Sequence, residues 1–408
     1  MRNATLAVMA ASLISASAFA ANVKDEALLQ RAAEAKPEVI ALLGRLVNID
    51  SGTGSEKGLD AVSAIVAGEL KKLGMKVELV SAAPAAVGHN LVATLTGSGR
   101  AKILLLAHMD TVFADGSAAA RPFRIDGNRA YGPGVTDDKG GIVTAIYALR
   151  LLQQQKFTDF AQITLMINSN EETFSKGSRG LIESLAAQHD ATLSLEPGRA
   201  ADGLVVWRKG TAELAIEVKG KASHAGAAPE AGRNAAMEAA HQMLQMAPLG
   251  DSSKLTTVNF TVFNSGDRVN VIPSAALVRG DMRARQPDEF DRVEKEMARL
   301  ASNKLIPDTA VKATLTRGMP PMPPSASTEA LAARAQAIYG ELGLKLTMEG
   351  SGGAGDANFI AATGRPVLDG FGIAGGNYHA DDEYVELNTI APRLYLLTRM
   401  MIELGRQR

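Results

Sequence analysis

The run Ile103-Leu-Leu-Leu-Ala107 is apolar without a break and ends on His108-Met-Asp110. Such a run reads as a strand buried on both faces, which needs helices above and below it. Gln162–Ile167 and Ala191–Leu195 have the same character. Segments 26–48, 58–73, 139–154 and 177–188 instead carry the 3.6-residue apolar period of helices. Shorter β-type runs stand at Lys76–Val80 and Leu91–Leu95. Strands alternating with helices predict an α/β fold, a mainly parallel sheet with helices on both faces.

The pattern changes after Lys209. Ala212–Val218 alternates like a half-exposed strand, 235–245 is helical, and Thr256–Phe263 and Ala275–Arg283 read as strands joined near Pro273. A helix over 287–302 and a strand at Ala310–Thr316 follow. The order β-α-β-β-α-β is the ferredoxin-like α+β arrangement. Met319-Pro-Pro-Met-Pro-Pro324 then punctuates the chain. From Ser327 the first style resumes, with a helix to Leu342, a strand at Val367–Leu368 and a last helix over 389–405. We therefore expect a larger unit from 21–210 and 318–408, with 211–317 inserted through two hinges.

Residues 1–20 stand apart. Arg2, the apolar run Ala4–Ile14 and the small residues Ala18 and Ala20 fit a signal peptide cut after Ala20. The expected location is periplasmic or secreted, with no membrane contact after cleavage. The chain has no cysteine, which excludes thiol nucleophiles, cysteine-ligated zinc and iron–sulfur clusters. A formal net charge of -1 and no basic stripe speak against nucleic acid.

Carboxylates and histidines gather at strand ends. The strands are followed by His108-Met-Asp110, Asn170-Glu171-Glu172, Glu196-Pro197 and, through a Gly-rich loop, His379. Tyr131-Gly-Pro-Gly-Val-Thr-Asp137-Asp138-Lys-Gly-Gly opens a helix. Open α/β sheets bind ligands at the carboxyl ends of their strands. Five potential metal ligands, His108, Asp137, Glu172, Glu196 and His379, fall where one site could collect them. Imidazole and carboxylate suit zinc, and a carboxylate can bridge two ions. Glu171 is placed to act as a general base on water. Asp110 is placed to accept the second imidazole N–H of His108. His89, His189 and His241 lack a motif and read as surface or packing residues. Gly132 and Gly134 read as a turn, because no Gly-Lys-Ser/Thr follows them.

These motifs, together with Lys221-Ala-Ser-His224-Ala-Gly-Ala-Ala-Pro-Glu230, resemble the di-zinc aminoacylase/carboxypeptidase family. The likeness runs in one order from about residue 25 to the C-terminus and is nearest to the folate-hydrolysing glutamate carboxypeptidase branch. It implies a zinc-exopeptidase-like fold with an inserted lid or dimerisation domain, and two Zn2+ per chain. His108 and Glu196 would bind one ion and Glu172 and His379 the other, with Asp137 bridging. Glu171 would be the catalytic base and Asp110 would orient His108. Arg317, matching Thr-Arg-Gly, and Asn270, before Ile-Pro, would hold the substrate carboxylate, and His224 the substrate or its oxyanion. The stretch Gly350-Ser-Gly-Gly-Ala-Gly-Asp356-Ala-Asn is Gly-rich where the family often has Gly-Gly-Thr-Asp. It should approach the substrate closely.

The implied activity is zinc-dependent release of a C-terminal glutamate-type residue from a peptide, N-acyl glutamate or folate, by a homodimer. Within the same chemistry the alternatives are an aminoacylase, an N-deacetylase or a dipeptidase. From another class, a periplasmic solute-binding protein shares the length, the leader and the two α/β lobes, but has no need of Glu171-Glu172 or five metal ligands.

Overall fold

The computed structural model describes residues 24–406. The expected signal peptide lies outside the described residues. In chain order the main elements are α1 (Glu26–Val47), α2 (Glu56–Lys72), β1 (Lys76–Ser81), β2 (His89–Thr96), β3 (Lys102–His108), α3 (Lys139–Gln154), β4 (Gln162–Asn168), α4 (Arg179–Gln188) and β5 (Ala191–Ser194). Next come β6 (Gly203–Arg208), β7 (Gly210–Lys219), α5 (Ala235–Met246), β8 (Thr257–Ser265), β9 (Ala275–Ala284), α6 (Asp288–Leu300) and β10 (Ala310–Arg317). The chain closes with α7 (Ala326–Gly340), β11 (Thr347–Ser351), β12 (Val367–Leu368) and α8 (Ile390–Gly405).

The large sheet has the order β1-β2-β4-β3-β5-β12. The pairings β4–β3, β3–β5 and β5–β12 are parallel, and β1–β2 and β2–β4 antiparallel. Alternation along β3 sends side chains into two different cores. Ile103, Leu105 and Ala107 join the cluster built with α1, α3 and α8. Leu104 and Leu106 join one with Ile182 and Ala186 of α4 and with Phe359 and Ile360. Helices therefore cover both faces, as expected for unbroken apolar strands. The parallel strands deliver their carboxyl ends to one edge.

The insert is a four-stranded antiparallel sheet in the order β8-β9-β7-β10. This is the ferredoxin-like order, and β7 to β10 span Gly210 to Arg317. Leu214, Ile216, Val218, Val278 and Met282 pack on Phe290, Val293 and Met297 of α6, forming a core separate from the other two. Buried and exposed residues alternate along β9, leaving one face wet.

Two features lie outside the expectation. β6 pairs in parallel with β11 as a separate ribbon. Four strands of two or three residues, Arg124–Asp126, Arg129–Tyr131, Gly375–Gly376 and Tyr384–Glu386, form a small sheet beside the edge that carries His379. Trp207 packs as expected: a Cβ on Gly350 would fall 1.8 Å from its ring, so β11 lies directly against it. Among the described residues no helix is long and apolar enough to cross a membrane.

Candidate metal centre

β3 ends at His108, whose ring is buried. Its Nδ1 lies 3.0 Å from the main-chain oxygen of Asp110 and 3.4 Å from that residue's Oδ1. Asp110 thus orients the imidazole chiefly through its backbone. Its carboxylate accepts from Glu171 N at 3.0 Å, Glu172 N at 3.1 Å and Thr53 Oγ1 at 2.6 Å. One residue after β3 thereby holds the turn that follows β4, where Glu171–Thr173 form a single 3-10 turn.

Asp137 sits two residues before α3, next to its N-cap Asp138. Asp138 caps that helix through Gly141 N (3.2 Å) and also accepts from His108 N (3.2 Å). A Cβ on Gly141 would lie 2.1 Å from Asp138 Oδ1 and 2.2 Å from Leu195 O, so only glycine lets the helix start this close to the end of β5.

The sequence-derived ligands converge. His108 Nε2 is 2.9 Å from Asp137 Oδ1 and 3.7 Å from Glu196 Oε1. His379 Nε2 is 3.4 Å from Asp137 Oδ2 and 3.3 Å from Glu172 Oε2. Asp137 therefore stands between the two imidazoles, one oxygen toward each. Donor atoms of His108, Asp137 and Glu172 all lie within 4.8 Å of one another. The Gly-rich loop reaches the cluster: a Cβ on Gly355 would sit 3.5 Å from Glu171 Oε1, Glu196 Cδ and Arg208 Cζ. Asp356 beside it faces inward, on Asn168 Nδ2 (2.6 Å) and Ser175 Oγ.

The charges are out of balance. Burial pushes the Glu171 carboxyl well above the usual carboxylate range, and the charges of Glu196, Asp356 and Glu172 add to it. Burial likewise raises Glu196, to about 8, against the pull of Arg208. Hydrogen bonds to Asp137 and Glu172 lift His379 to about 10. His108 is raised as well, its burial outweighed by Asp110 and Asp137. Burial would raise Asp137, but the two imidazoles hold it below the usual range. The carboxylates thus recruit positive charge from both histidines. Glu172 Oε1 is buried without a hydrogen-bond partner, and a buried carboxylate oxygen left so is costly. Nitrogen and oxygen donors, an excess of carboxylate and an orphaned oxygen fit divalent cations.

Two charged residues in this region carry no sequence motif. Arg208, at the end of β6, donates to Glu196 Oε2 (3.1 Å) and Asp369 Oδ2 (2.5 Å). Glu383 accepts three main-chain N–H groups of the Asp137 loop. Neither belongs to a spacing pattern: Glu383 lies 247 residues from Thr136, and Arg208, though 12 residues from Glu196, has its anchor Asp369 161 residues away.

The three expected substrate residues sit elsewhere. Arg317 pairs with Asp291 (2.5 Å) and Glu294 (3.5 Å) of α6 and lines a groove of about 570 Å³ with Phe174, Arg279 and Thr211. His224 is exposed, and its Nδ1 accepts from Gly226 N and Ala227 N, each at 3.1 Å. Asn270 is exposed and accepts from Ala225 N through its backbone. Among the described residues no hydrogen bond or ion pair joins these three to the metal cluster. His189 is a packing residue, bound to Leu185 O and Thr164 Oγ1.

A family model described as peptidase family M20/M25/M40 matches residues 104–403. Carboxypeptidase G2 of Pseudomonas sp. (strain RS-16) is 39% identical over 407 residues, covering 99% of this chain and 98% of that protein. Acetylornithine deacetylase of Proteus mirabilis is 29% identical over 271 residues, covering 60% of this chain and 67% of that one. Among solved structures, aminopeptidase PepT of Bacillus cereus superposes with a TM-score of 0.78 at 22% identity, over 91% of this chain and 99% of that one.

Proposed function

Since the chain belongs to peptidase family M20/M25/M40, and is accordingly a metal-dependent hydrolase of peptide-type C–N bonds, we propose that it is a di-zinc carboxypeptidase. The proposed reaction releases a C-terminal glutamate-type residue from a peptide, an N-acyl glutamate or a folate. The observation that carries this reading is the meeting of His108, Asp137, Glu172, Glu196 and His379 beside Glu171. Full-length similarity to Carboxypeptidase G2 supports the carboxypeptidase direction. The enzyme family displaces the solute-binding alternative.

In this proposal His108 and Glu196 would hold one ion and Glu172 and His379 the other, with Asp137 as the ligand shared by both. Two zinc ions would supply Lewis-acid polarisation of the scissile carbonyl and make water more acidic. Glu171 accepts a proton from the attacking water. It then passes that proton to the departing nitrogen as the C–N bond breaks. Asp110 keeps Glu171 and His108 in register by binding both through one residue. Movement of the insert about its two connections would bring Arg317, Asn270 and His224 to the substrate and expel water. Arg317 would then exchange Asp291 for the substrate carboxylate, which a guanidinium binds bidentately.

Two further expectations belong to this reading. Residues 1–20 direct the chain to the periplasm or outside the cell. The insert pairs two chains into a homodimer, for which exposed Leu244 and Met237 on α5 and Val262 and Phe263 on β8 offer apolar contact.

A substrate panel on zinc-loaded enzyme tests the proposal. Folate-type and N-acyl glutamates should give the highest kcat/KM, and Arg317→Ala should raise KM for them far more than it lowers kcat. Faster turnover of N-acetyl amino acids or of dipeptides without a C-terminal glutamate would favour the aminoacylase, N-deacetylase or dipeptidase reading. The likeness to acetylornithine deacetylase keeps that second reading in view.

A further inference from the structure

Glu383 is buried (1% exposed), stands in no motif and, among the described residues, makes no ion pair. Its Oε1 accepts from Thr136 N at 2.9 Å and Asp137 N at 3.1 Å, and its Oε2 from Gly134 N at 3.2 Å. Three donors of one loop, at Gly134, Thr136 and Asp137, converge on one carboxylate, the kind of backbone concavity that binds anions. Here the anion comes from the chain itself. The loop it grips is the one that ends in Asp137.

The other end of the same linkage is His379, four residues upstream. Its imidazole is half exposed (53%) and its backbone is left-handed, with φ 63°; Asn377, two residues before, has φ 59°. A non-glycine residue in that region is strained and keeps its place only if its surroundings hold it. Below Glu383 the chain is fixed by the pairing of Tyr384 with Tyr131. Glu383 thus ties the Asp137 loop to the His379 loop at the point where both face Glu172.

The opposite half of the centre is held in another way. His108 ends β3, inside the large sheet, and Glu196 follows β5. Arg208 grips Glu196 from the side, with its own anchor on Asp369. Among the described residues no hydrogen bond or ion pair joins Glu383 to His108 or Glu196.

We infer that Glu383 is a positioning residue acting chiefly on one metal position, the one that His379 and Glu172 form with Asp137. It sets the gap between Asp137 and His379 by clamping their two loops together, whereas the His108–Glu196 position meets it only through the shared Asp137. This rests on the di-metal reading above. Groups that orient metal ligands typically change affinity by about 10–100-fold when removed. Glu383→Gln keeps the shape but turns one end of the carboxylate into a donor facing backbone N–H.

The test is a calorimetric zinc titration of metal-free wild type, Glu383→Gln, His379→Ala and the double variant, with kinetics alongside. Wild type should bind two zinc ions, and failure of that arm would sink the di-metal reading itself. Given two sites, Glu383→Gln should weaken one by about 10–100-fold and the other, which shares only Asp137, by clearly less. At the weakened position the double variant should be no weaker than His379→Ala alone, because both changes strike it. Excess zinc should restore turnover in Glu383→Gln with KM unaltered. Equal weakening of both sites, no weakening, or a further loss on top of His379→Ala would overturn the inference. If the Gln variant does not fold, Glu383→Asp withdraws the carboxylate by one methylene and must show the same one-sided pattern.

Discussion

The insert buries one carboxylate among donors and the large layer a cluster of carboxylates, and the two reach opposite states. In the insert, Glu289 at the start of α6 has a buried side chain. Lys254 Nζ (2.8 Å), Thr256 Oγ1 (2.8 Å) and Arg292 Nε and Nη2 (2.9 and 2.7 Å) all donate to it. Those donors, Arg292 first, hold its carboxyl at about 2. At the edge of the large sheet, Glu171, Glu172 and Glu196 are all raised, burial being the first cause of each. There two histidines and Arg208 face a larger set of carboxylates. The insert completes its own charge balance, whereas the sheet edge requires cations from outside the chain. A structural ion-pair network and a metal centre are separated by that balance, since both consist of buried Asp, Glu and basic groups.

The largest effect should come from Glu171→Gln. Losing a positioned base typically costs about 10²–10⁴-fold in rate. Steady-state kinetics should show such a loss in kcat while metal analysis finds the metal retained. Loss of metal in the same variant would place Glu171 among the ligands and spoil the contrast between ligands and base. Next in size, Glu289→Ala should destabilise the insert by about 1.5–3 kcal/mol, the range for hydrogen bonds to a charged group. Urea unfolding measures it, and metal content should not move.

The two clusters should also answer pH with opposite signs. Glu289 has a folded-state carboxyl below its unfolded value of about 4.3. Its stabilisation is therefore complete above that value and is lost as pH falls toward about 2. The stability gap between wild type and Glu289→Gln should shrink over that window. Glu196 is raised, so metal-free protein binds more protons folded than unfolded. Its stability should decline as pH rises from about 4.3 toward about 8, and added zinc should remove the decline. Matching slopes in metal-free and zinc-loaded protein would erase the distinction.

Much of this was written locally in the sequence. Ile103–Ala107 is long and unbroken, so both the strand and the exit at His108 follow from composition alone. The insert shows the period of two along β7 and β9, and its order of elements leaves few topologies. What escaped is non-local or very short. Strands of two and three residues, such as Gly375–Gly376 and Arg129–Tyr131, are too brief to show a period. β6 and β11 pair across more than 140 residues, and β11 reads Thr-Met-Glu-Gly-Ser, with no apolar pattern. Glu383 and Arg208 are single charges whose meaning comes from partners 247 and 161 positions away. Asp110 was legible as an orienting residue for His108, yet its hold on Glu171 and Glu172 follows only from where the turn after β4 lands.

The most direct measurement is the metal content of dialysed protein, read together with activity before and after a strong chelator. About two divalent ions per chain are expected, with loss of activity on chelation and its return with zinc. His108→Ala and His379→Ala should each release about one ion. A chain that holds none, or that turns over substrate unchanged after chelation, would contradict the di-metal reading.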